Sequence, residues 1–435
     1  MKLLIKNGRV IDPKNKIDER VDLLIEKGKI SSIAKSIKDA EARIIDADKK
    51  IVCPALVDMH THIRQPGRED EETVLTGSRA AVKGGFGSIT VMPNTQPAID
   101  NQGVVEFIYS EAKKVDLVNV YPIGAITKGL EGKELAEIGE LAKSGVVGIS
   151  DDGMPVMNSH IMRMALEYSK MYNLVVISHC EDLELSSRGV MNEGYVSTVL
   201  GMKGIPQEAE SIMVLRDIQL ARLTGAKLHI AHVSCAQSVE FVRMAKKVNV
   251  NISAETCPHY FTLTDEAVLG FDTHTKVKPP LRTKDDIRAI KEALADGTLD
   301  VIATDHAPHT EAEKDVEYDA APFGMIGLET ALGISYRELI QKKTLGLSAL
   351  IEKMSLNPAR ILQLHTKGHL SVGADADILI FDPETVWTVR KDTLESKSKN
   401  TPFLGWELPA RPLELIVGGR HIMKEGKIIK NDKNS

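Results

Sequence analysis

The chain has 435 residues, with 55 Lys and Arg against 61 Asp and Glu and a formal charge of -6. That length suits one large α/β unit with a small companion better than three equal domains, because α/β barrels exceed the usual domain size. The slightly acidic balance leaves no electrostatic footprint for nucleic acid or an anionic membrane, so a small molecule is the expected ligand.

Cys53, Cys180, Cys235 and Cys257 show no C-x-x-C spacing and read as buried thiols of a reducing cytosol. The opening apolar run is short and interrupted by Lys6, unlike a signal peptide, and no stretch approaches a membrane span. A soluble, cytoplasmic protein is expected.

In chain order, residues 1–52 carry short strand patterns around two turn signals, Asn7-Gly8 in LLIKNGRVID and Lys27-Gly28 in VDLLIEKGKISSIA, which predict β-hairpins. Next come eight apolar β-branched runs: IVCPALVDMHTHI, FGSITVMPNT, VNVYPIGAIT, VVGISDDG, LVVISHCED, KLHIAHVS, VNISAETCPHYF and DVIATDHAPH. Between them, NQGVVEFIYSEAKKV, SHIMRMALEYSKMY and SVEFVRMAKKV place apolar residues at helical spacing. This alternation predicts a TIM-type (β/α)8 barrel over 53–365, with chemistry at the carboxyl ends of its strands. The remaining residues return to hairpins in DADILIFD, WTVR, LELIVGG and HIMKEGKII, with turns at Gly418-Gly419 and Glu425-Gly426. Residues 1–52 and 366–435 are therefore expected to build one small composite β-sandwich domain from both chain termini.

The metal-capable side chains fall at the ends of the predicted barrel strands. His60 and His62 close the first, Asn94 the second, Asp151 and Asp152 the fourth, His179 the fifth, His232 the sixth, and Asp305 with His309 the eighth. Residues two apart on a strand share a side, so His60 and His62 can offer imidazole nitrogens to one metal. A lone H-x-H is equally a pair of loop histidines. Joined by His179, His232 and two carboxylates at one rim, it suits one or two Zn²⁺ per chain. Asp151 or Asp152 would bridge two ions; adjacent strand residues face opposite ways, so one binds metal while the other caps the loop.

Asp305 is the candidate catalytic residue, accepting a proton from an activated water and returning it to a leaving nitrogen; its plainer role is a helix N-cap. Arg64 projects on the side of His62, where a guanidinium suits a substrate carboxylate. The plainer alternative is a surface ion pair with the acidic run Glu69 to Glu72. Asn94 and His309 are neutral donors able to complete a carboxylate pocket or to cap loops. His160, His229, His259, His274 and His306 are not placed by this geometry, and Met162, Met164 and Met244 read as core filler.

Together these residues resemble the amidohydrolase superfamily, and within it the long-chain bacterial and archaeal (class I) dihydroorotases, over nearly the whole chain. Asp58-Met-His-Thr-His-Ile-Arg64-Gln-Pro-Gly67 is similar to the family's D-x-H-x-H-x-R-x-P-G pattern. Ala303-Thr-Asp-His-Ala-Pro-His309, followed by Lys314, is similar to its second pattern, and Met92-Pro-Asn-Thr95 and Gly373-Ala-Asp-Ala-Asp-Ile378 also occur in the superfamily. The resemblance implies that His60, His62, Asp152, His179, His232 and Asp305 are zinc ligands. It favours the second aspartate of the pair, at a place where many relatives carry a carboxylated lysine that this chain lacks. It further implies substrate contacts from His62, Arg64, Asn94 and His309, from the Phe323-Gly324 backbone, and from Lys278, which stands where many relatives have asparagine.

The implied activity is the interconversion of N-carbamoyl-L-aspartate and L-dihydroorotate in pyrimidine synthesis, with a homodimer and an association with aspartate carbamoyltransferase as expected partners. Hydantoinases and allantoinases share the barrel, metals and histidines, and a non-catalytic scaffold for aspartate carbamoyltransferase would share the fold. Arg64 speaks against the first alternative, since hydantoin has no ring carboxylate and relatives acting on allantoin commonly carry asparagine there. The complete set of six candidate ligands speaks against the second.

Overall fold

A computed structural model describes residues 2–429, and its centre is the expected ring of eight parallel strands. Barrel strands 1 to 8 are Leu56–Asp58, Phe86–Val91, Asn119–Pro122, Gly148–Ser150, Val175–Ser178, Leu228–Ile230, Ile252–Thr256 and Val301–Ile302. Strand 3 joins the two halves of the ring by changing partners. Asn119–Pro122 pairs with strand 2, and Gly124–Ala125, just beyond Ile123, pairs with strand 4. The ring closes where Thr61 bridges His306 in parallel and the His62 N–H donates to the His306 carbonyl at 2.8 Å. Closure therefore stitches together the two histidine-rich loops after strands 1 and 8.

Side-chain alternation decides what reaches the rim. Val175 and Ile177 of strand 5 fill the barrel interior with Met59, Met92, Ile123, Ala231, Val301 and Ala303, while Val176 faces the surrounding helices. The same two-residue period carries His179 and Asp305 inward just beyond strands 5 and 8. The three runs of helical spacing form Gln102–Val115, Ser159–Ser169 and Ala236–Lys247. Asn101 and Asn158 cap the first two, their side chains accepting free first-turn N–H groups. All four cysteines are buried and free, and among the described residues no helix is long and apolar enough to cross a membrane.

Strands from both ends of the chain share one seven-stranded sheet, in the order Lys427–Ile428, Arg420–Lys424, Arg411–Val417, Ile378–Asp382, Ile51–Pro54, Arg9–Asp12 and Ile17–Arg20. A four-stranded sheet of Lys29–Ala34, Asp22–Glu26, Lys2–Lys6 and Arg43–Asp46 packs on it. Leu3, Ile5, Leu23 and Ile25 meet Val10, Val52, Ile378, Ile380 and Ile416 between the sheets. The intervening Leu379 and Phe381 belong instead to the core shared with the barrel. Burial on both faces explains the unbroken apolar run in DILIF, which lacks the alternation of a half-exposed strand.

Two local expectations change. Asn7-Gly8 turns no hairpin: Lys2–Lys6 pairs with Asp22–Glu26, while Arg9–Asp12 pairs with Ile17–Arg20 and Ile51–Pro54, so the chain crosses between sheets there. A Cβ on Gly8 would lie 2.5 Å from Val52 Cγ2, so close approach explains this glycine. The run from Ile51 to Ile63, expected as one strand, divides at Ala55. Ile51–Pro54 pairs with Ile378–Asp382, and Leu56–Asp58 with barrel strand 2.

Lys27-Gly28 does turn a hairpin, and its tip meets the Gly418-Gly419 turn, where a Cβ on Gly419 would lie 2.7 Å from Gly28 Cα. Gly419 has φ +73 and Gly373 has φ +87 with nothing within 4 Å of its would-be Cβ. Gly419→Ala should therefore lower the unfolding midpoint by several degrees, from the left-handed backbone plus the collision, about 2 kcal/mol or more. Gly373→Ala carries only the backbone penalty and should lose less. Scanning fluorimetry of the two variants checks the difference; equal losses would refute the collision.

Candidate active site

The structure gathers His60, His62, Asp152, His179, His232 and Asp305 at the carboxyl end of the barrel, and Asp152 is the residue they share. Its Oδ2 lies 3.3 Å from both His60 Nε2 and His62 Nε2, and its Oδ1 lies 3.2 Å from His232 Nε2 and 3.5 Å from His179 Nδ1. Asp305 Oδ1 adds contacts of 3.2 Å to His62 Nε2 and 3.6 Å to His60 Nε2. One carboxylate thus separates a His60, His62, Asp305 trio from a His179, His232 pair. Burial opposes the charge on Asp152, yet the facing histidines hold its pKa well below the ordinary carboxylate value.

Asp151 faces the other way. Its Oδ1 accepts from the N–H groups of Ile126 at 2.8 Å and Thr127 at 2.9 Å, and its Oδ2 from the Thr127 hydroxyl, which pins the loop after strand 3. His232 and Asp305 adopt left-handed φ of +33 and +49, values uncommon for residues with a Cβ. The turn brings His232 to the cluster although its neighbour Ala231 is the one filling the barrel.

Three of the four histidines have the far ring nitrogen held. His60 Nδ1 lies 2.5 Å from Glu255 Oε1, His62 Nδ1 2.8 Å from Asn94 Oδ1, and His179 Nε2 3.0 Å from Glu181 Oε2. Such contacts fix the tautomer and rotamer and leave the opposite nitrogen aimed at the cluster. Burial opposes protonation of His179, but Asp152 and Glu181 raise it to about 9, and His179 with Lys278 lowers Glu181 to about 2.

The donors present fit a divalent metal. Imidazole nitrogens and carboxylate oxygens from His60, His62 and Asp305, and again from His60, Asp152 and His232, lie within 4.8 Å of one another. His60 Nε2 is buried, has no hydrogen-bond partner and faces the carboxylates. Two further groups offer similar donors: Cys257 and His259 beside Asp305, and Glu71, His309 and Glu313.

Above the cluster opens a cavity of about 390 Å³ lined by His62, Arg64, Asn94, Asp152, Lys278, Asp305, His309, Phe323 and Gly324 among others. Every substrate-contact candidate named from the sequence lies on its wall. The ion pair of Arg64 with the acidic run exists, but inside the protein: Arg64 Nε lies 3.1 Å from Oε2 of Glu71, which is 1% exposed. Lys278 lies 2.8 Å from Glu181 Oε1 and 5.1 Å from the Phe323 ring centre. The segment carrying Phe323 and Gly324 is held by two buried lysines. Lys276 donates to the Tyr318 and Asp319 carbonyls and Lys314 to those of Pro322 and Thr273. Burial lowers these amines to about 8 and about 7.

Residues 49–238 match the family model described as Dihydro-orotase-like. The chain is 56% identical to the protein named Dihydroorotase from Pelotomaculum thermopropionicum over 98% of this chain and 99% of that one. It is 52% identical to the Dihydroorotase of Syntrophus aciditrophicus over 98% and 100%. The chain belongs to the dihydroorotase family. Among solved structures, the L-hydantoinase (dihydropyrimidinase) from Arthrobacter aurescens matches with a TM-score of 0.89 and 25% identity, covering 98% of this chain and 97% of that one. Dihydroorotases are cyclic amidohydrolases, so this chain is a metal-dependent enzyme of that class acting on a small molecule.

Sequence reasoning did not single out Glu71, Glu72, Glu181 and Glu255, all buried. Glu181 follows His179 by two and so shares its side. Glu255 alternates with Ala254, which packs outward, and its inward carboxylate also lies 3.2 Å from His229 Nε2. Glu71 and Glu72 each reach one histidine of the loop after strand 8, at 2.8 Å from His309 Nδ1 and 3.2 Å from His306 Nε2.

A metal seated among these buried groups binds the folded chain alone, and at a thousandfold excess over its dissociation constant contributes about 4 kcal/mol. Chelation should therefore lower the melting temperature by several degrees, and added Zn²⁺ should restore it. A melting curve indifferent to both treatments would count against a metal at this cluster.

Proposed function

We propose that the chain interconverts N-carbamoyl-L-aspartate and L-dihydroorotate on a zinc centre held by His60, His62, Asp152, His179, His232 and Asp305. The observation that carries this reading is one cavity lined both by the metal-capable cluster and by Arg64, Asn94 and His309. A substrate with a carboxylate on a cyclic amide needs both in one place. Zinc is supported by the donor chemistry, imidazole nitrogen and carboxylate oxygen. When bound, it would supply Lewis acidity toward the ring carbonyl and lower the pKa of a water molecule.

The chain's own groups do the rest. Arg64, Asn94 and His309 hold the ring carboxylate and so set the distance from the reacting carbonyl to the cluster. In ring opening, a water oxygen adds to the carbonyl carbon, Asp305 takes the water's proton, and the carbon–nitrogen bond breaks as that proton passes to the nitrogen. Ring closure runs the same transfers backward and releases water. Burial opposes the charge on Asp305, but His62 and His60 hold its pKa below the ordinary carboxylate value, so the basic form is at hand near neutral pH. Lys278 and the Phe323-Gly324 backbone complete the wall around the ring, with the Phe323 carbonyl beside His309 Nε2. The same reading includes a cytoplasmic setting, a homodimer and an association with aspartate carbamoyltransferase; exposed Ile212, Leu215 and Leu223 along helix Glu208–Thr224 offer an apolar face for a protein contact.

Asp305→Asn should keep its metal and lose about 10²- to 10⁴-fold in turnover, the worth of general acid–base catalysis; unchanged turnover would refute the assigned role. For the substrate, Arg64→Met should raise KM for dihydroorotate about tenfold or more through loss of a charged contact. Side-by-side assays of dihydroorotate, hydantoin and allantoin complete the test, and preference for either of the last two would overturn the substrate while leaving the metal site.

A further inference from the structure

Cys257 and His259 follow barrel strand 7 directly and have no part in the proposed reaction. Yet the Cys257 sulfur, one His259 ring nitrogen and one Asp305 carboxylate oxygen lie within 4.8 Å of one another. His259 is 2% exposed, and its Nε2 is buried with no hydrogen-bond partner. A buried polar atom left without a partner costs about 1 to 3 kcal/mol, which a bound ligand can relieve. Asp305 turns Oδ1 toward His62 and His60, and a carboxylate has a second oxygen to offer. The carboxylates of Asp305, Glu255, Asp58 and Asp152 all act on the Cys257 thiol, a setting that favours a cation. The other thiols are turned elsewhere. Cys180 Sγ lies 3.5 Å from Ser178 Oγ and 3.7 Å from Asp217 Oδ2, Cys235 Sγ lies 3.1 Å from Ser238 Oγ, and Cys53 sits in the terminal sheet opposite Leu379.

We propose that Cys257, His259 and Asp305 form a separate site for one thiophilic divalent ion, and that filling this site inhibits the enzyme by engaging Asp305. A thiolate, an imidazole and a carboxylate are a donor set for zinc or cadmium, softer than the sulfur-free cluster beside it. Ligand atoms around one tetrahedral zinc stand roughly 3.5 Å apart, so the trio closes by at most roughly 1.3 Å to seat an ion. On binding, the Cys257 S–H bond breaks, a sulfur–metal bond forms and the proton leaves to water. The ion enters from the cavity, which Asp305 lines. Inhibition rests on the proposed role of Asp305 as proton carrier, because a carboxylate that neutralises a further cation is a poorer base. The site itself rests only on the three side chains.

The test titrates the zinc-loaded full chain with Cd²⁺ while recording difference absorption, because a thiolate bound to cadmium absorbs by charge transfer and imidazole or carboxylate ligands do not. The expected result is one such band, saturating with about one added ion per chain by equilibrium dialysis. Cys257→Ser should abolish the band and His259→Gln should weaken it, while Cys180→Ser keeps it. No band in the unaltered protein overturns the site without any variant having to fold, and so does a band that survives Cys257→Ser or disappears in Cys180→Ser. Dihydroorotate turnover, followed in the same titration, should fall about 10²-fold in step with the band, the worth of a proton carrier, and Cys257→Ser should escape that fall. Turnover that holds steady while the band saturates overturns the inhibitory role. Failure of the zinc-loaded chain to turn over dihydroorotate before any cadmium is added sinks the proposed activity instead, and the band still decides the site.

Discussion

A buried histidine has two nitrogens to satisfy, and packing four of them at one rim makes that requirement the constraint on which the rest of the site depends. Asp152 meets it from the middle, with one oxygen toward His60 and His62 and the other toward His179 and His232. Glu255, Asn94 and Glu181 meet it from behind by holding the far nitrogens of His60, His62 and His179. With those nitrogens occupied, the remaining ones can only converge, which presents donors to a metal without a large rearrangement.

The barrel supplies this convergence through its closure. The contact between Thr61 and His306 that completes the ring also brings the loop after strand 1 against the loop after strand 8. Glu71 and Glu72 then latch His309 and His306 from the same direction. The carboxylate pocket and the metal-capable cluster are thus two outcomes of one seam, and Arg64 lies along it with its Nε 3.2 Å from the Pro308 carbonyl. The two-sheet terminal layer buttresses the opposite side of the fold, since Leu379 and Phe381 pack in the core shared with the barrel while Ile378 and Ile380 fill the space between the sheets.

Much of this was legible because it is periodic. Strands 5 and 8 alternate inward and outward residues, so counting by two from Val175 or Val301 reaches His179 and Asp305. Where the chain departs from the period, counting fails. His232 reaches the cluster through a left-handed φ of +33, and Asn7-Gly8 has the composition of a hairpin turn yet passes the chain between sheets because Gly8 must sit against Val52. Acidic residues were the hardest to place. A run such as Glu69 to Glu72 looks like a solvated surface, and burial of Glu71 and Glu72 is revealed only by the histidines they face.

By itself the sequence determined the number and order of the βα units, the hairpin-rich style of both chain ends and the residue types at the strand ends, because each depends on neighbours within a dozen positions. Residue spacing left the choice between Asp151 and Asp152 open, the family resemblance favoured Asp152, and tertiary structure placed it at the histidines; tertiary structure alone decided which glutamates enter the interior and that Arg64 and His309 share Glu71. Those outcomes depend on contacts such as His60 with Glu255, 195 positions apart, and His309 with Glu71, 238 apart. No local pattern encodes a partner that far away; it exists only once the ring has closed.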